Sequence, residues 1–385
     1  MKKLHQFLAI SLFILFSCKE NVIESTSEVP TEIESLNEES LTPKNIILMI
    51  GDGMGISQIT AGMYRNGNKL ELERCKIIGL IKTNSKKQLI TDSSAGATAF
   101  ATGKKTRNGM VSQAMEDSTN YKTFVEYAEE YKKATGIVVT STVTHATPAC
   151  FYAHYPRRYD ANEPISAQFV NSGVDVLIGG GKKYFETRSD DRNLLNELAA
   201  NGYTVADTLT SSFDTKEVFK LVYLYAPTQP GKLVFTKGDE APSRGRILPL
   251  ATEKAIEVLK KDTNGFFLMV EGSQIDWGGH NNDSEYIINE MLDFNQTIKK
   301  VLDFAEKDGE TLVIITADHE TGGYAIIDGK LDGSEMNGGF STQHHSAAMI
   351  PVFAFGKGAE KFAGIFDNTA IFDKMMELFD FEQSK

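Results

Sequence analysis

Residues 45–55 read NIILMIGDGMG, and this stretch decides the fold of the chain. The apolar run after Asn45 is continuous rather than alternating, as in a parallel strand that is buried on both faces. The run ends at Asp52, which stands between two glycines, and residues 56–64 then have a helical pattern. Ligands of α/β proteins bind at the carboxyl ends of strands, so Asp52 is a candidate ligand. A single aspartate in a turn is nevertheless more often structural.

Further strands are predicted along the chain, one from a β-rich run over residues 135–143 and the others from apolar runs. The predicted strands are residues 135–143, 266–270, 311–316 and 351–355. A long amphipathic helix is predicted over residues 281–308, and a last helix over 370–379. Residues 160–250 carry weaker signals and are predicted to form a smaller elaboration within the same domain. The pattern predicts an α/β fold, a three-layer α/β/α sandwich with a mostly parallel central sheet.

Ser93 is the candidate nucleophile. It follows Asp92 and precedes a run of mostly small residues, 95–103, that can begin a helix. The free N–H groups and the positive dipole end of such a helix favour an anion, and a serine alkoxide or a phosphate bonded to it is one. This stretch alone leaves two interpretations open, because a serine at the start of a helix is equally well an N-cap.

Carboxylates and histidines recur where the predicted strands end. Asp52, Glu271 and Asp318 each follow an apolar strand, and the last two lead on to His280 and His319. Because the carboxyl ends of parallel strands converge on one crevice, three acids in this position are hard to explain by chance. Mixed Asp and His ligation suits zinc in an incompletely filled, catalytic site.

Oxygen ligands point to a second kind of metal. A set made of Asp52, Thr147 and Glu271 suits magnesium. Pro148 interrupts regular structure, so Thr147 is predicted to lie on a loop. The residues together indicate a multi-metal hydrolase in which Ser93 is the nucleophile. Arg158 is the candidate clamp for a tetrahedral anion.

At this point the chain resembles the alkaline phosphatase family. The matching motifs are Gly51-Asp52-Gly53-Met54-Gly55, Asp92-Ser93-Ser94-Ala95, His145-Ala146-Thr147-Pro148, Glu271-Gly272, Asp276 with His280, Asp318-His319-Glu320-Thr321-Gly322-Gly323, and His345. They occur in the order of the family from residue 45 to about residue 355. Within the family, the chain looks most similar to small bacterial enzymes of the cold-active marine and Antarctic type.

The resemblance implies a phosphomonoesterase that acts at alkaline pH through a phosphoserine on Ser93, with Arg158 gripping two phosphate oxygens. It implies two zinc ions and one magnesium ion. The implied ligands are Asp52, Asp318 and His319 for the zinc that activates the serine, Asp276, His280 and His345 for the zinc at the leaving oxygen, and Asp52, Thr147 and Glu271 for magnesium. A homodimer follows from the resemblance alone.

Two positions depart from the best-known bacterial member of the family, which has Asp in place of His145 and Lys in place of Trp277. A histidine is a poorer partner than a carboxylate for the water molecules of magnesium. An indole cannot bind phosphate through water as an ammonium group can. We therefore expect a different occupancy of the third metal site and weaker retention of the product.

The first 43 residues are predicted to lie outside the catalytic domain. Residues 1–17 have a positive start and a short apolar run, which is typical of a signal peptide, and Cys18 then predicts a lipoprotein. A plain secretory signal is the alternative. Residues 18–43 predict a flexible acidic tether, and residues 44–385 a single catalytic domain. The protein would be exported to the periplasm or the outer membrane, and would contact the membrane only through the lipid on Cys18.

The composition of the chain limits which classes of partner it can bind. A formal net charge of −12 argues against a general nucleic-acid or anionic-membrane binder. The family resemblance implies that the substrates are small phosphomonoesters. Cys75 and Cys150 either pair, as an exported protein allows, or remain free thiols.

Three competing functions remain. The first is another enzyme of the superfamily, a phosphodiesterase or a sulfatase. A sulfatase needs the motif C-x-P-x-R, which the sequence lacks, and Ser93 with Glu271 favours monoesters over diesters. The second is a lipid-anchored protein that binds phosphate or zinc without turnover. The third is a hydrolase whose zinc is structural, although structural zinc favours four protein ligands and cysteine.

Overall fold

The computed structural model describes residues 42–233 and 244–382 of the 385-residue chain. The predicted signal peptide, Cys18 and almost all of the predicted tether lie outside the described residues. In the described part of the chain, no helix combines the length and the apolar character that crossing a membrane requires.

A ten-stranded sheet forms the centre of the described domain. In chain order the strands are β1 (Asn45–Gly51), β2 (Ile77–Lys82), β3 (Ala134–Thr142), β4 (Val176–Gly180), β5 (Thr204–Val205), β6 (Leu221–Ala226), β7 (Phe266–Gly272), β8 (Thr311–Thr316), β9 (Glu320–Thr321), β10 (Tyr324–Gly329), β11 (Met336–Phe340), β12 (His345–Ser346), β13 (Ile350–Phe355) and β14 (Gly364–Asp367). Across the sheet the order is β14-β2-β13-β8-β1-β7-β3-β4-β6-β5. Two short antiparallel pairs, β9 with β12 and β10 with β11, stand outside it.

The central sheet is parallel except at β13, which runs antiparallel to both of its neighbours, β2 and β8. The flanking helices are α1 (Ile56–Arg65), α2 (Ser93–Thr102), α3 (Phe124–Glu130), α4 (Ala146–Tyr152), α5 (Asn162–Phe169), α6 (Lys183–Glu186), α7 (Leu194–Ala200), α8 (Ile247–Leu259), α9 (Ile275–His280), α10 (Ser284–Asp308) and α11 (Ala370–Leu378). The predicted α/β sandwich with a mostly parallel sheet is confirmed.

The three strands β8, β1 and β7 lie side by side at the middle of the sheet, and every residue in them is buried. Their continuous apolar runs suit strands that are covered on both faces. The register pairs Gly51 with Gly272 and Ile50 with Thr316, so the three strands end at nearly the same level. The polar residues that follow these strands are therefore brought to one edge of the sheet.

Two expectations from the sequence need correction. Residues 160–226 contribute β4, β5 and β6 to one side of the central sheet, so this part extends the main sheet rather than decorating it. Thr147 is not on a loop, because α4 begins at Ala146 and includes Pro148 in its first turn. Proline is tolerated there because the first N–H groups of a helix have no partner within the helix.

Cys75 and Cys150 are both buried free thiols, which decides between the two alternatives for them. Burial raises the pKa of the Cys75 thiol to about 11 and that of Cys150 to about 12. Both side chains therefore stay protonated and behave as small apolar groups in the core.

A buried ion cluster joins the chain before α8 to helix α10. The side chains of Arg244, Glu290 and Asp293 are each 1% exposed, and an Arg244 nitrogen lies 2.6 Å from Glu290 and 2.9 Å from Asp293. Removing the guanidinium would take away the cation that contacts both buried carboxylates.

We expect Arg244→Met to lower the free energy of unfolding by about 3–5 kcal/mol, measured by urea denaturation. Arg192→Met is the matched control, because the Arg192–Glu197 pair is formed by side chains that are 41% and 37% exposed. Its cost should stay below about 1 kcal/mol. Equal effects of the two substitutions would show that burial does not set the strength of these pairs.

Candidate functional site

Four carboxylates meet at the carboxyl edge of the central sheet. Asp52 follows β1, Glu271 lies near the end of β7, and Asp318 follows β8, and all three are fully buried. Asp276, on α9, joins them because the turn after β1 packs closely against that helix. Gly53 makes this packing possible: its φ is +73°, and a Cβ there would lie 2.6 Å from the Asp276 Cα.

The first group of possible metal ligands is Asp52, Asp318 and His319. The Nε2 atom of His319 lies 3.2 Å from Asp318 Oδ2 and 3.5 Å from Asp52 Oδ1. The Ser93 Oγ atom lies 3.2 Å from the same nitrogen. The structure thus brings the predicted nucleophile to the edge of the predicted ligand set.

The second predicted set, Asp276, His280 and His345, also comes together. Nε2 of His280 lies 3.3 Å from Asp276 Oδ2 and 3.2 Å from Nε2 of His345, which is itself 3.5 Å from Asp276 Oδ1. The other ring nitrogens lie near backbone carbonyl oxygens, His280 Nδ1 at 2.6 Å from Gln343 O and His345 Nδ1 at 2.8 Å from Thr91 O. Such contacts orient each ring so that Nε2 faces the group.

The two groups adjoin through their histidines. His319 and His345 stack with ring centroids 3.5 Å apart, and both offer atoms to a further possible set with Asp276. The Thr321 hydroxyl donates to Asp276 Oδ1 and lies 3.2 Å from His319 Nδ1. Two cations bound here would therefore lie close together, and Thr321 would orient ligands of both.

A third group consists of Asp52, Glu271 and His145. The sequence analysis assigned Thr147 to this place and treated His145 as a departure from the family. Thr147 is buried, and its hydroxyl lacks a hydrogen-bond partner within the described ranges. A His145 ring nitrogen lies within 4.8 Å of an oxygen of each carboxylate, and its ring meets Trp277 edge to face at 5.9 Å. The two departures from the family therefore lie against each other beside the third group.

The buried carboxylates have few compensating contacts apart from His319, which lies near Asp318 and Asp52. Both side-chain oxygens of Asp52, both of Glu271 and Oδ2 of Asp318 have no hydrogen-bond partner among residues 42–233 and 244–382. Burial and the neighbouring Asp318 raise the pKa of Asp52 well above its usual range, and burial raises that of Glu271 to about 8. Unpaired buried charge is costly, so this donor set fits bound cations. Divalent ions would keep the carboxylates ionised.

The histidines have different protonation states. A hydrogen bond from the His280 ring to the Asp276 carboxylate raises the pKa of His280 to about 9. Burial lowers the pKa of both His345 and His145 to about 4. Those two imidazoles are therefore neutral at ordinary pH, which is the form that binds a metal.

Asp92, not Ser93, is the N-cap of α2. Its Oδ1 atom accepts a hydrogen bond from the Ala95 N–H at 2.9 Å, so Ser93 is the first helical residue and its hydroxyl is not used for capping. The Asp92 Oδ2 atom accepts from the Gly109 N–H at 2.8 Å and lies 3.7 Å from Arg158 Nε. The sequence analysis missed this role. The available signal was an aspartate directly before a run of helix-forming residues.

Arg158, and not Arg157, faces the site. Its side chain is 20% exposed and lies next to Asp92, one residue from Ser93, whereas Arg157 is exposed. Two other histidines lie elsewhere. His154 is 2.9 Å from Ser112 O and 3.2 Å from a Glu126 oxygen, a structural arrangement, and His344 is exposed.

Glu320 is a second residue that the sequence analysis did not assign. It accepts hydrogen bonds from Gln58, from the Tyr324 N–H and from the Ser346 hydroxyl. These contacts hold β9 against β12, and thereby His319 beside His345. The position of Glu320 within the motif of residues 318–323 is the sequence feature that could have identified it.

Comparison with known proteins assigns the family. The family model for alkaline phosphatase matches residues 43–336. Alkaline phosphatase 4 of Bacillus subtilis is 32% identical over 409 residues, which cover 85% of this chain and 86% of that relative. Alkaline phosphatase 3 of the same organism is 42% identical over 300 residues, 74% of this chain and 62% of that relative. The chain therefore belongs to the alkaline phosphatase family and is a phosphatase, as its motifs predicted.

The solved structures make the likeness more specific. The alkaline phosphatase of the Antarctic bacterium TAB5 is 42% identical to this chain, with a TM-score of 0.81 over 89% of this chain and 99% of that one. The expected similarity to a small Antarctic enzyme is confirmed. Two further structures are variants of the TAB5 enzyme in which one histidine is replaced by Glu or Asp, with Mg bound in the M3 site.

The unpaired carboxylates predict a pH dependence for the chelated protein. The Glu271 pKa is about 8 in the fold against 4.5 for a free side chain, so the folded state binds more protons between these values. Its contribution to stability is fully present below pH 4.5 and is lost as the pH rises to about 8. Thermal unfolding of chelated protein should show this loss, and the metal-loaded protein should not.

Glu271→Gln provides the control, since an amide cannot titrate. In the chelated state this variant should lose less stability than the parent between pH 5 and pH 8. Parallel profiles of parent and variant would mean that Glu271 is not held protonated in the metal-free fold.

Proposed function

We propose that the protein hydrolyses phosphate monoesters at alkaline pH through a phosphoserine intermediate on Ser93. The observation that carries this proposal is the position of the Ser93 hydroxyl, 3.2 Å from His319 Nε2 and at the first turn of α2, with Asp92 taking the capping role. A serine oxygen in this position acts as a nucleophile only by forming a covalent bond to phosphorus.

Two zinc ions and one magnesium ion are proposed as cofactors. The proposed ligands are Asp52, Asp318 and His319 for one zinc, Asp276, His280 and His345 for the other, and Asp52, Thr147 and Glu271 for magnesium. Bound here, the ions would offset the buried carboxylate charge and stabilise negative charge on the serine oxygen, the phosphoryl group and the leaving oxygen.

Ser93 and Arg158 have different roles in the proposed reaction. The Ser93 hydroxyl releases its proton to solvent, and its oxygen attacks phosphorus while the bond from phosphorus to the ester oxygen breaks. The leaving alkoxide takes a proton from solvent. Water then attacks the phosphoserine, the bond between phosphorus and the Ser93 oxygen breaks, and the serine regains a proton as inorganic phosphate leaves. Two in-line displacements give net retention at phosphorus. Arg158 binds two phosphate oxygens throughout, and a guanidinium matches that geometry.

Hydrolysis of p-nitrophenyl phosphate by residues 44–385 tests the proposal. We expect monoester hydrolysis to exceed hydrolysis of the bis-ester and the sulfate ester, to disappear on chelation and to return with zinc and magnesium. Ser93→Ala should lower kcat by at least about a thousandfold, because it removes the nucleophile.

Ser94→Ala is the matched control. Ser94 is the next residue and equally buried, and its hydroxyl lacks a hydrogen-bond partner in the described parts of the chain. This variant should keep most of the activity. A preference for the bis-ester would identify a diesterase. A folded, metal-loaded protein that turns over none of the esters would identify a binding protein.

His145 is proposed to weaken magnesium binding at the third group. A neutral imidazole offers one nitrogen, whereas magnesium prefers oxygen ligands and retains several waters. In the TAB5 enzyme, replacement of one histidine by Glu or Asp accompanies Mg bound in the M3 site. Trp277 beside His145 also leaves this group without an ammonium for phosphate, so weaker retention of the product is proposed.

We expect His145→Asp to lower the Kd for magnesium by at least about tenfold at saturating zinc, because a third carboxylate joins the group. Equilibrium dialysis with metal analysis measures this without reference to turnover. His344→Asp, a change at an exposed histidine, is the control and should leave the Kd unchanged. An equal Kd in His145→Asp and the parent would contradict the proposal.

The location and the assembly are proposed as well. Residues 1–17 would be removed as a signal peptide, Cys18 would carry a lipid, and residues 18–43 would tether the domain 44–385 in the periplasm or at the outer membrane.

A homodimer is supported by two exposed apolar side chains that line one recess, Ile56 at 58% and Met349 at 45%. Sedimentation of the domain as a monomer would contradict the dimer. Small phosphomonoesters, and not nucleic acid, are the proposed partners.

A further inference from the structure

The Arg158 side chain has few polar supports. Within the described residues its Nε atom has no hydrogen-bond partner, and the Asp92 Oδ2 atom, at 3.7 Å, is too distant for one. That oxygen already accepts a hydrogen bond from the Gly109 N–H at 2.8 Å. A clamp for phosphate has to present its N–H groups in a fixed plane, so another contact must restrict the guanidinium.

An aromatic ring supplies that contact. The Cζ atom of Arg158 lies 4.6 Å from the centroid of the Tyr159 ring. This distance lies within the range of a cation–π interaction. The ring also packs on Gly109, whose φ is +82°, because a Cβ at that glycine would lie 3.1 Å from Tyr159 Cε2.

Gly109 is common to all of these contacts. Its carbonyl oxygen accepts a hydrogen bond from the Arg158 N–H at 2.9 Å, and its own N–H donates to Asp92. The loop that contains Gly109 therefore holds the backbone of Arg158, the carboxylate next to its Nε and the ring below its guanidinium. The position of the guanidinium relative to Ser93 depends on this loop.

We infer that Tyr159 is a positioning residue that holds the Arg158 guanidinium in the orientation needed to bind phosphate. Stacking uses the face of the guanidinium and leaves its N–H edges free, and a bidentate contact with two phosphate oxygens uses those edges. A hydrogen-bonding partner would instead occupy one of the N–H groups. The inference rests on the proposed role of Arg158 and adds the residue that sets its orientation.

The solvent exposure of Tyr159 argues against a role in stabilising the core. Its side chain is 49% exposed, so it contributes little to the core. Arg157 also lies over the Tyr159 ring, with its Cζ atom 5.6 Å from the ring centroid. An effect of Tyr159 on phosphate binding must therefore be traced to one of the two arginines.

The test compares Tyr159→Leu, which removes the aromatic face, with Tyr159→Phe, which keeps it. Tyr159→Leu should raise the Ki for inorganic phosphate and the KM for p-nitrophenyl phosphate by about two- to fivefold, the size of an exposed cation–π contact. Tyr159→Phe should remain close to the parent. The melting temperature should not change in either variant. Equal losses in both variants would assign the effect to the hydroxyl group and overturn the inference.

A double-mutant cycle identifies the arginine. In an Arg158→Ala background, Tyr159→Leu should have no further effect on the phosphate Ki, whereas in an Arg157→Ala background its full effect should persist. A Ki that rises in Arg158→Ala but not in Tyr159→Leu would overturn this inference and leave the proposed clamp intact. A Ki that is unchanged in Arg158→Ala would overturn the clamp itself.

Discussion

The structure depends on the burial of carboxylates next to one another at the ends of neighbouring strands. Asp52, Glu271 and Asp318 are fully buried, and five of their six side-chain oxygens have no hydrogen-bond partner in the described chain. Mutual repulsion and the loss of water both oppose this arrangement. The raised pKa values of Asp52 and Glu271 indicate that protonation relieves this cost in the metal-free fold. Bound cations would relieve it with the carboxylates ionised, which would link the metal content to the stability of the domain.

Much of the surrounding architecture serves to bring these groups together. The level ends of β8, β1 and β7 set the height of the carboxylates, and Gly53 lets the turn after β1 approach α9. The short pairing of β9 with β12 places His319 against His345. Each of these features is a backbone arrangement, and the side chains then need little freedom to form the groups. Preorganisation of this kind is what electrostatic catalysis requires.

The sequence predicted the parts that depend on local pattern. Continuous apolar runs identified β1, β7 and β8, and a β-rich run identified β3. The acids that follow the apolar strands identified Asp52, Glu271 and Asp318 as candidate ligands, and the family resemblance supplied assignments such as Asp276 and His345. It did not predict β2 or the edge strand β14. The alternation of buried and exposed residues in β2 is incomplete, and β14 is short and mostly exposed. Glycines, prolines and turn signals in the neighbouring sequence do not identify such strands, because the strands form by pairing with partners that are distant in the sequence.

The missed site residues combine local contacts with contacts to partners that are not close in the sequence. Asp92 contacts Gly109 and Arg158, and Glu320 contacts Gln58 and Ser346. A motif shows that such a residue is present, but only the fold shows what it contacts. Thr147 is a related case. Its proline neighbour predicted a loop, yet the same proline fits the first turn of α4, where no N–H is needed.

A site rich in carboxylates should repel a phosphate dianion, and the net charge of −12 adds to this repulsion. The contradiction disappears once the cations are included, because three divalent ions would more than offset the four acids and leave the crevice positive. Without them, Arg158 would be the main attraction for the substrate, opposed by every carboxylate around it. Metal loading would thus change the sign of the field that the substrate meets. For this reason the orientation of one arginine, and the preference of His145 for one metal over another, become the adjustable features of the site.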